Sequence, residues 1–305
     1  MRRNLLLFAF VCLLSLRCAR EVIIELPEQP TKLVAVCHFT EDQNFRVKIS
    51  LSQDVNDVSE PEFLKTMVDA TLSVNGQFWD RLKPDTTVVD KITYWVSNRD
   101  QKAQSGVKYS ISVRVPGYTT VQSSSTIPDQ IDLDPILLSA NDISVIPLSD
   151  GQSELRVSLA LRLKQLPTGH YYFAFNLTHE TEVFDPSYSE ESSTNFLTDG
   201  RTFSLLHDIP EPVVLVNENF WADNRRTLYL TARIPFDPEI ERPRRIYIEW
   251  RTLSEQFYRY HLSLSRQGGN VPFSEPDAVF NNIIGGYGNF SGYAVSRDTV
   301  MIPDF

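Results

Sequence analysis

Residues 153–163 read Ser-Glu-Leu-Arg-Val-Ser-Leu-Ala-Leu-Arg-Leu, and their alternation decides the fold class. Leu155, Val157, Leu159, Leu161 and Leu163 fall on one side of an extended chain, with Arg156, Ser158 and Arg162 on the other. Period two marks a strand with one buried face. Upstream, the same alternation runs through Phe45, Val47, Ile49 and Leu51, through Ala70, Leu72 and Val74, and through Tyr109, Ile111, Val113 and Val115. Downstream it returns at Tyr171, Phe173, Phe175 and Leu177, at Leu228, Leu230, Ala232 and Ile234, and at Ile246, Ile248 and Trp250. Short strands separated by turn residues predict an all-β chain built of sandwiches.

Gly106-Val107-Lys108-Tyr109 leads into one of these strands, as in the tyrosine corner of immunoglobulin-like and fibronectin-like domains, where the phenol ties a loop to the backbone. A core tyrosine in any antiparallel strand is the alternative. Pro116-Gly117-Tyr118 makes a turn, Thr119 to Ile127 makes a last strand, and Pro128 and Asp129 form the best boundary. Residues 32–128 are therefore read as an Ig-like β-sandwich. Residues 129–305 form a second, mainly antiparallel β domain with one amphipathic helix near 253–266.

That helix follows a capping-box pattern, Thr252 with Glu255 three residues later, and ends before Gly268 and Gly269. Leu253, Phe257, Tyr260 and Leu264 form its apolar stripe. Tyr258 and Arg259 fall off the stripe and are candidate partner contacts. Between residues 179 and 227 the alternation weakens, and polar residues gather around Pro186, Ser189, Glu190, Glu191 and Ser192. Within this stretch Phe220 and Trp221 stand among Asn217, Glu218, Asn219, Asp223 and Asn224. Aromatics beside amides and carboxylates suit carbohydrate or peptide contact, or else plug a core beneath a loop.

The amino terminus adds location. Arg2 and Arg3 precede an apolar run from Leu5 to Leu16, and Cys18 closes it. A membrane span needs about 20 apolar residues, so residues 1–17 read as a cleaved lipoprotein signal, Cys18 as the lipidated residue, and 18–31 as a tether. Arg17 stands where a small residue is expected, and an ordinary secretory signal is the alternative. Both export the chain. Loss of residues 1–17 removes three of 29 basic residues, leaving 26 against 39 acidic ones and a formal charge of −13. So acidic a chain is not expected to bind nucleic acid. With Cys12 removed and Cys18 acylated, Cys37 stands alone as a small buried hydrophobe; an unacylated Cys18 leaves a Cys18–Cys37 bridge open.

Catalytic patterns fail on spacing. Gly286, Gly288 and Gly292 miss a dinucleotide fingerprint by one residue and read as turns. Asp54, Asn56 and Asp57 begin a calcium-loop pattern that Val58, Ser59 and Lys65 interrupt. His38, His170, His179, His207 and His261 show no zinc spacing, and no Gly-x-Ser-x-Gly elbow occurs. No cofactor, metal or enzymatic activity is expected, although glycosidase carboxylates leave no local signature.

The carboxy-terminal run Asn270, Pro272, Phe273, Glu275, Pro276, then Asn281, Asn282, Ile283, Gly285, Gly286, Tyr287, Gly288, Phe290, Gly292 and Tyr293 resembles the closing signature of a Bacteroidetes family. Glu21 to Pro27 with Lys32, Leu33 and Val34 resembles its opening, and Tyr109 to Tyr118 with Ile127 and Pro128 its middle. That family comprises outer-membrane lipoproteins with a domain of unknown function, commonly encoded beside SusC-like TonB-dependent transporters. The chain departs from it at Arg17, and at Cys37 and His38, where a glycine and an aromatic are expected. The resemblance implies a lipid-anchored location and a transporter neighbourhood; it supplies no substrate and no catalytic residue. Ala19, Arg20 and Glu21 leave the periplasmic and the cell-surface face both open.

The expected function is therefore a membrane-anchored, non-catalytic binding or accessory lipoprotein. Its expected partners are the membrane, through the lipid anchor, a SusC-like TonB-dependent transporter, and a glycan or peptide solute. The alternatives are a structural subunit of an envelope complex and a glycan or peptide hydrolase.

Overall fold

The computed structural model describes residues 30–53, 63–65, 67–85, 92–98, 100–165, 169–185, 187–198, 213–217, 227–266 and 278–305. The first half runs through β1 (Leu33–Phe39), β2 (Arg46–Leu51), β3 (Asp69–Val74), β4 (Gln77–Arg81), β5 (Lys83–Pro84), β6 (Tyr94–Val96), β7 (Lys108–Arg114) and β8 (Val121–Thr126). The second half continues with β9 (Ile143–Pro147), β10 (Ser153–Arg162), β11 (Tyr172–Phe184), β12 (Ser187–Ser193), β13 (Asn195–Thr198), β14 (Val214–Asn217), β15 (Thr227–Phe236) and β16 (Glu241–Leu253). Helix α1 (Glu255–Arg266) and β17 (Tyr287–Met301) complete it. Among the described residues the chain is all-β with one α-helix, and the strands read from alternation are β2, β3, β7, β10, β11, β15 and β16.

A nine-stranded sheet, in the order β12-β11-β16-β17-β1-β2-β6-β5 with β14 also on β11, runs through both halves. Two four-stranded sheets, β4-β3-β7-β8 and β13-β15-β10-β9, supply the opposing layers of two sandwiches. One core gathers Phe45, Val47, Leu72, Tyr109, Ile111 and Phe290, and the other Leu155, Leu159, Phe173, Phe175, Leu230 and Trp250. The tyrosine corner is present. Tyr109 is 2% exposed, and its Oη accepts the Gln104 N–H at 2.9 Å.

Cutting the chain at residue 128 does not separate the sandwiches. Residues Tyr287 to Gly292 of β17 pair in parallel with Val34 to Phe39 of β1, and Tyr293 to Met301 pair with β16. Ile283, Phe290 and Ala294 accordingly belong to the amino-terminal core. The glycines expected in turns make this join. Gly288 and Gly292 lie inside β17, where a Cβ would meet the Ala35 carbonyl oxygen at 2.0 Å and that of Thr126 at 2.4 Å. Only a residue without a side chain admits such close backbone approach.

Helix α1 lies on the outer face of the nine-stranded sheet, packing Phe257 and Tyr258 against Ala174 and Leu253. Its cap differs from the expected one. Thr252 stays in β16, where its Oγ1 accepts the Ile131 N–H at 3.1 Å, while Ser254 accepts the Phe257 N–H through Oγ and the Tyr258 N–H through its carbonyl. The polar run Ser187–Ser193, without alternation in the sequence, is strand β12, paired with β11 and exposed along its whole length. An edge strand wet on both faces carries no apolar pattern to read.

Candidate functional site

The outward face of β4-β3-β7-β8 is built by the polar half of the alternation. Register aligns it in two rows. Phe78, Ser73, Ser110 and Ser124 cross the four strands side by side, and Arg81, Thr71, Ser112 and Gln122 form the next row. Residues directly opposite in a sheet share a face, so the second row continues through the bridge Gln122–Ile284. Between the rims lies a trough of about 410 Å³ with Ser73, Ser110, Ser112, Gln122 and Ser124 among its lining residues. Among the described residues, none of its lining side chains is ionisable. The Arg81–Asp69 ion pair, 3.2 Å, closes off charge at one end.

The rims are unequal. At the β4 edge an irregularity between Leu72 and Ser73 in the pairing with β4 turns Trp79 inward against Phe45 and Tyr109, leaving the Phe78 ring 68% exposed. At the other edge Ile284 is 74% exposed. Its segment is pinned: Asn282 brackets Phe290 with hydrogen bonds of 2.9 and 2.8 Å, and Ser123 Oγ donates to the Asn282 carbonyl at 2.8 Å. Asn281 further holds the Gly286 carbonyl at 3.0 Å. Ser112 Oγ is sealed from solvent without a partner. The sequence carried one signal for this face, a run of outward positions on three strands (Thr71, Ser73, Ser110, Ser112, Gln122, Ser124) without a charge. Pairing of those strands was needed to see it as one surface.

A second hollow, about 300 Å³, opens where the chain crosses from β12 to β13 and is lined by His179, Thr181, Glu190, Ser192, Asn195 and Arg233 among others. His179 Nδ1 and Thr194 Oγ1 share a 3.0 Å hydrogen bond, and burial holds the imidazole below its ordinary pKa. Arg233 is committed to Glu154 at 2.7 Å, and Arg156 reaches the same carboxylate at 2.6 Å. Those hydrogen bonds, Arg233's first, hold Glu154 below the usual carboxylate range.

Beneath α1 lies a third polar group that sequence spacing did not reveal. His38 on β1 and His261 on α1 meet with ring centroids 4.6 Å apart, flanked by Phe257 and Tyr260. Asn289 and Ser291, both fully buried, complete the group, and Asn289 Nδ2 donates to the Gln256 carbonyl at 3.2 Å. His38 and His261 are 223 residues apart in sequence, and the β1–β17 pairing is what makes them neighbours.

Of the residues singled out in the sequence, Cys18, Phe220 and Trp221 lie outside the described residues, as do Asp54, Asn56 and Asp57. Tyr258 does not face solvent. It is 8% exposed, stacks on Tyr172 at 4.5 Å, and its Oη accepts Asn217 Nδ2 at 3.0 Å. The sheet behind α1 is wide enough to cover more of the helix than the four-residue stripe. Arg259 is exposed, pairs with Glu255 at 3.2 Å and lies over the Phe280 ring at 4.9 Å. Tyr258 is thus buried against the sheet while Arg259 faces solvent, and the two form no joint site. Cys37 is 2% exposed, its thiol pushed up to about 12 by burial.

A family described as Domain of unknown function (DUF4249) matches residues 19–299. The chain belongs to that family. A comparison with curated proteins finds no match. Among solved structures the chain is similar to a chaperone–tip adhesin complex of CFA/I fimbriae biogenesis, at TM-score 0.27 and 10% identity over 74% of this chain and 84% of that one. It is also similar to a mutant CFA/I adhesin of enterotoxigenic E. coli, at TM-score 0.25 and 9% identity over 90% and 87% of the two chains.

Proposed function

We propose that the protein is a non-catalytic binding lipoprotein of the cell envelope, held on the outer membrane through acylated Cys18 and working beside a SusC-like TonB-dependent transporter. The trough on the β4-β3-β7-β8 face is the observation that carries this reading. Hydroxyl and amide groups without an adjacent base or acid bind a solute by hydrogen bonding and do not activate one another as nucleophiles. The rim beside Ile284, fixed by Asn281 and Asn282, supports a preformed site, which lowers the entropic cost of binding.

Two features of the chain support the anchor. The apolar run from Leu5 to Leu16 ends at Cys18, and the family match begins at the next residue. A structural subunit of an envelope complex is the second reading, favoured by the nine-stranded sheet that runs unbroken through both sandwiches.

Fractionation tests the proposal. The wild-type chain is expected in the outer membrane, extractable only with detergent, with a mature amino-terminal peptide that starts at a diacylglyceryl-modified Cys18. Cys18→Ala is expected to abolish that modification and free the protein from the membrane. A TonB-dependent transporter is expected among the proteins that co-purify. An unprocessed wild-type chain in the cytosol would sink the reading.

A further inference from the structure

We propose that the trough between Phe78 and Ile284 binds a neutral oligosaccharide, with one sugar ring laid on Phe78 and its neighbours hydrogen-bonded to the hydroxyl rows. The inference rests on the reading of the protein as a binding lipoprotein and names the ligand class of its site.

Two observations point to this class. First, the lining is polar, and among the described residues it holds no ionisable side chain. A phosphate, sulfate or uronate would leave its charge partly desolvated and unpaired there, which costs several times more than a satisfied neutral hydrogen bond yields. Serine hydroxyls and a glutamine amide both donate and accept, the complement that vicinal sugar hydroxyls require. Second, Phe78 is a large ring left 68% exposed on the same row as Ser73, Ser110 and Ser124. The apolar C–H face of a pyranose buries against such a ring, while its equatorial hydroxyls reach sideways to the neighbouring strands.

Geometry disfavours a peptide. Extended peptides are held chiefly through main-chain hydrogen bonds to an open sheet edge, and the trough lies on a sheet face whose β8 edge is already bridged by Ile284. Five chain segments lie side by side across this face, from β4, which sets Phe78 beside the lining residue Ser73, to Ile284. At about 4.8 Å between neighbours the face spans roughly 19 Å, enough for a short oligosaccharide and more than a monosaccharide needs.

The test uses the full chain purified from membranes in detergent and titrated with cellohexaose, xylohexaose, mannohexaose and maltohexaose, with hexagalacturonate as the charged comparator and an alanine hexapeptide as the peptide comparator. At least one neutral hexasaccharide is expected to bind, and more tightly than either comparator. Phe78→Ala is expected to weaken it about tenfold or more, and Tyr229→Ala, an exposed ring of the other sandwich, to leave it unchanged. Gln122→Ala, at an exposed lining position, is expected to weaken binding while leaving the melting temperature of the free protein unchanged, a combination that a structural role for the amide would not give. Binding of the hexagalacturonate or the peptide in preference to every neutral sugar overturns the proposal. So does silence toward all four sugars, or binding indifferent to Phe78 and Gln122. If any of these occurs while the chain is still acylated at Cys18 and co-purifies with a transporter, the ligand class fails and the envelope reading stands.

Discussion

At the residue scale the costliest placement is the histidine pair under α1. His261 has no exposed surface, and among the described residues neither of its ring nitrogens has a hydrogen-bond partner; His38 Nε2 is likewise sealed and has none among them. Burial pushes His38 from its ordinary 6.5 down to about 3, helped by the positive charges of Lys48 and Arg251 and opposed by a hydrogen bond to Asn289. Burial, His38 and Arg251 hold His261 well below its usual value. The unfolded chain takes these protons near pH 6.5, whereas the folded chain refuses them until much lower pH. The unfolded state therefore binds more protons throughout that window. The stability the pair contributes is fully present above about 6.5 and drains as pH falls toward about 3. Urea midpoints measured from about pH 7 to about pH 4.5 should fall, and the double variant His38→Phe, His261→Leu should show a shallower fall than the wild type. Equal slopes for the two proteins would refute the assignment. The trough belongs to the same scale, because Ser110 and Ser112 are unremarkable as letters and gain meaning only from their neighbours across the sheet.

At the element scale, strands with one buried face were legible and strands without one were not. Leu155 to Leu163 alternate because β10 faces a core on one side and solvent on the other. The residues of β12 are exposed throughout, so nothing in Ser187–Ser193 distinguishes a strand from a loop. In β17 the glycines hid the strand. Close packing against β1 and β8 requires them, and the same residues signal turns elsewhere. Gly288 has a φ of +121° and faces the Ala35 carbonyl. Gly288→Ala should part β17 from β1 and cost about 3 kcal/mol or more, combining a backbone clash with a strained dihedral. A thermal melt would read this directly, and a midpoint within a degree or so of wild type would exclude it. The helix illustrates a narrower miss. Thr252 and Glu255 have the spacing of a capping box, but Thr252 is drawn into β16 by the Ile131 N–H, and Ser254 takes its place. Ser254→Ala should cost about 1 kcal/mol by urea titration, whereas an effect below the error of the fit would return the cap to Thr252.

At the scale of the whole molecule, two sandwiches share one continuous sheet, and the boundary near Pro128 marks the chain without marking a folding unit. The amino-terminal core lacks Ile283, Phe290 and Ala294 until the last strand arrives, and without β17 the long edge of β1 stands unpaired. Residues 30–128 expressed alone should therefore be protease-sensitive and give poorly dispersed amide resonances, and so should a chain ending at Gly286. A stable, dispersed 30–128 fragment would show that the first sandwich is self-sufficient. The sequence disclosed the all-β class but not how its sheets join, because pairing between β1 and β17 links residues about 250 positions apart and leaves no local trace.

That late join sets a timetable. A polypeptide delivered amino end first, from the ribosome or through a secretion channel, exposes Leu33, Ala35 and Phe39 long before Phe290 emerges. At about 5–20 residues per second the interval is roughly 13 to 50 seconds, ample time for an uncovered apolar ribbon to find another of its kind. A holding chaperone that masks the newborn ribbon until synthesis or transport is finished would shield every molecule made, and cells deprived of that escort should accumulate this protein as insoluble clumps.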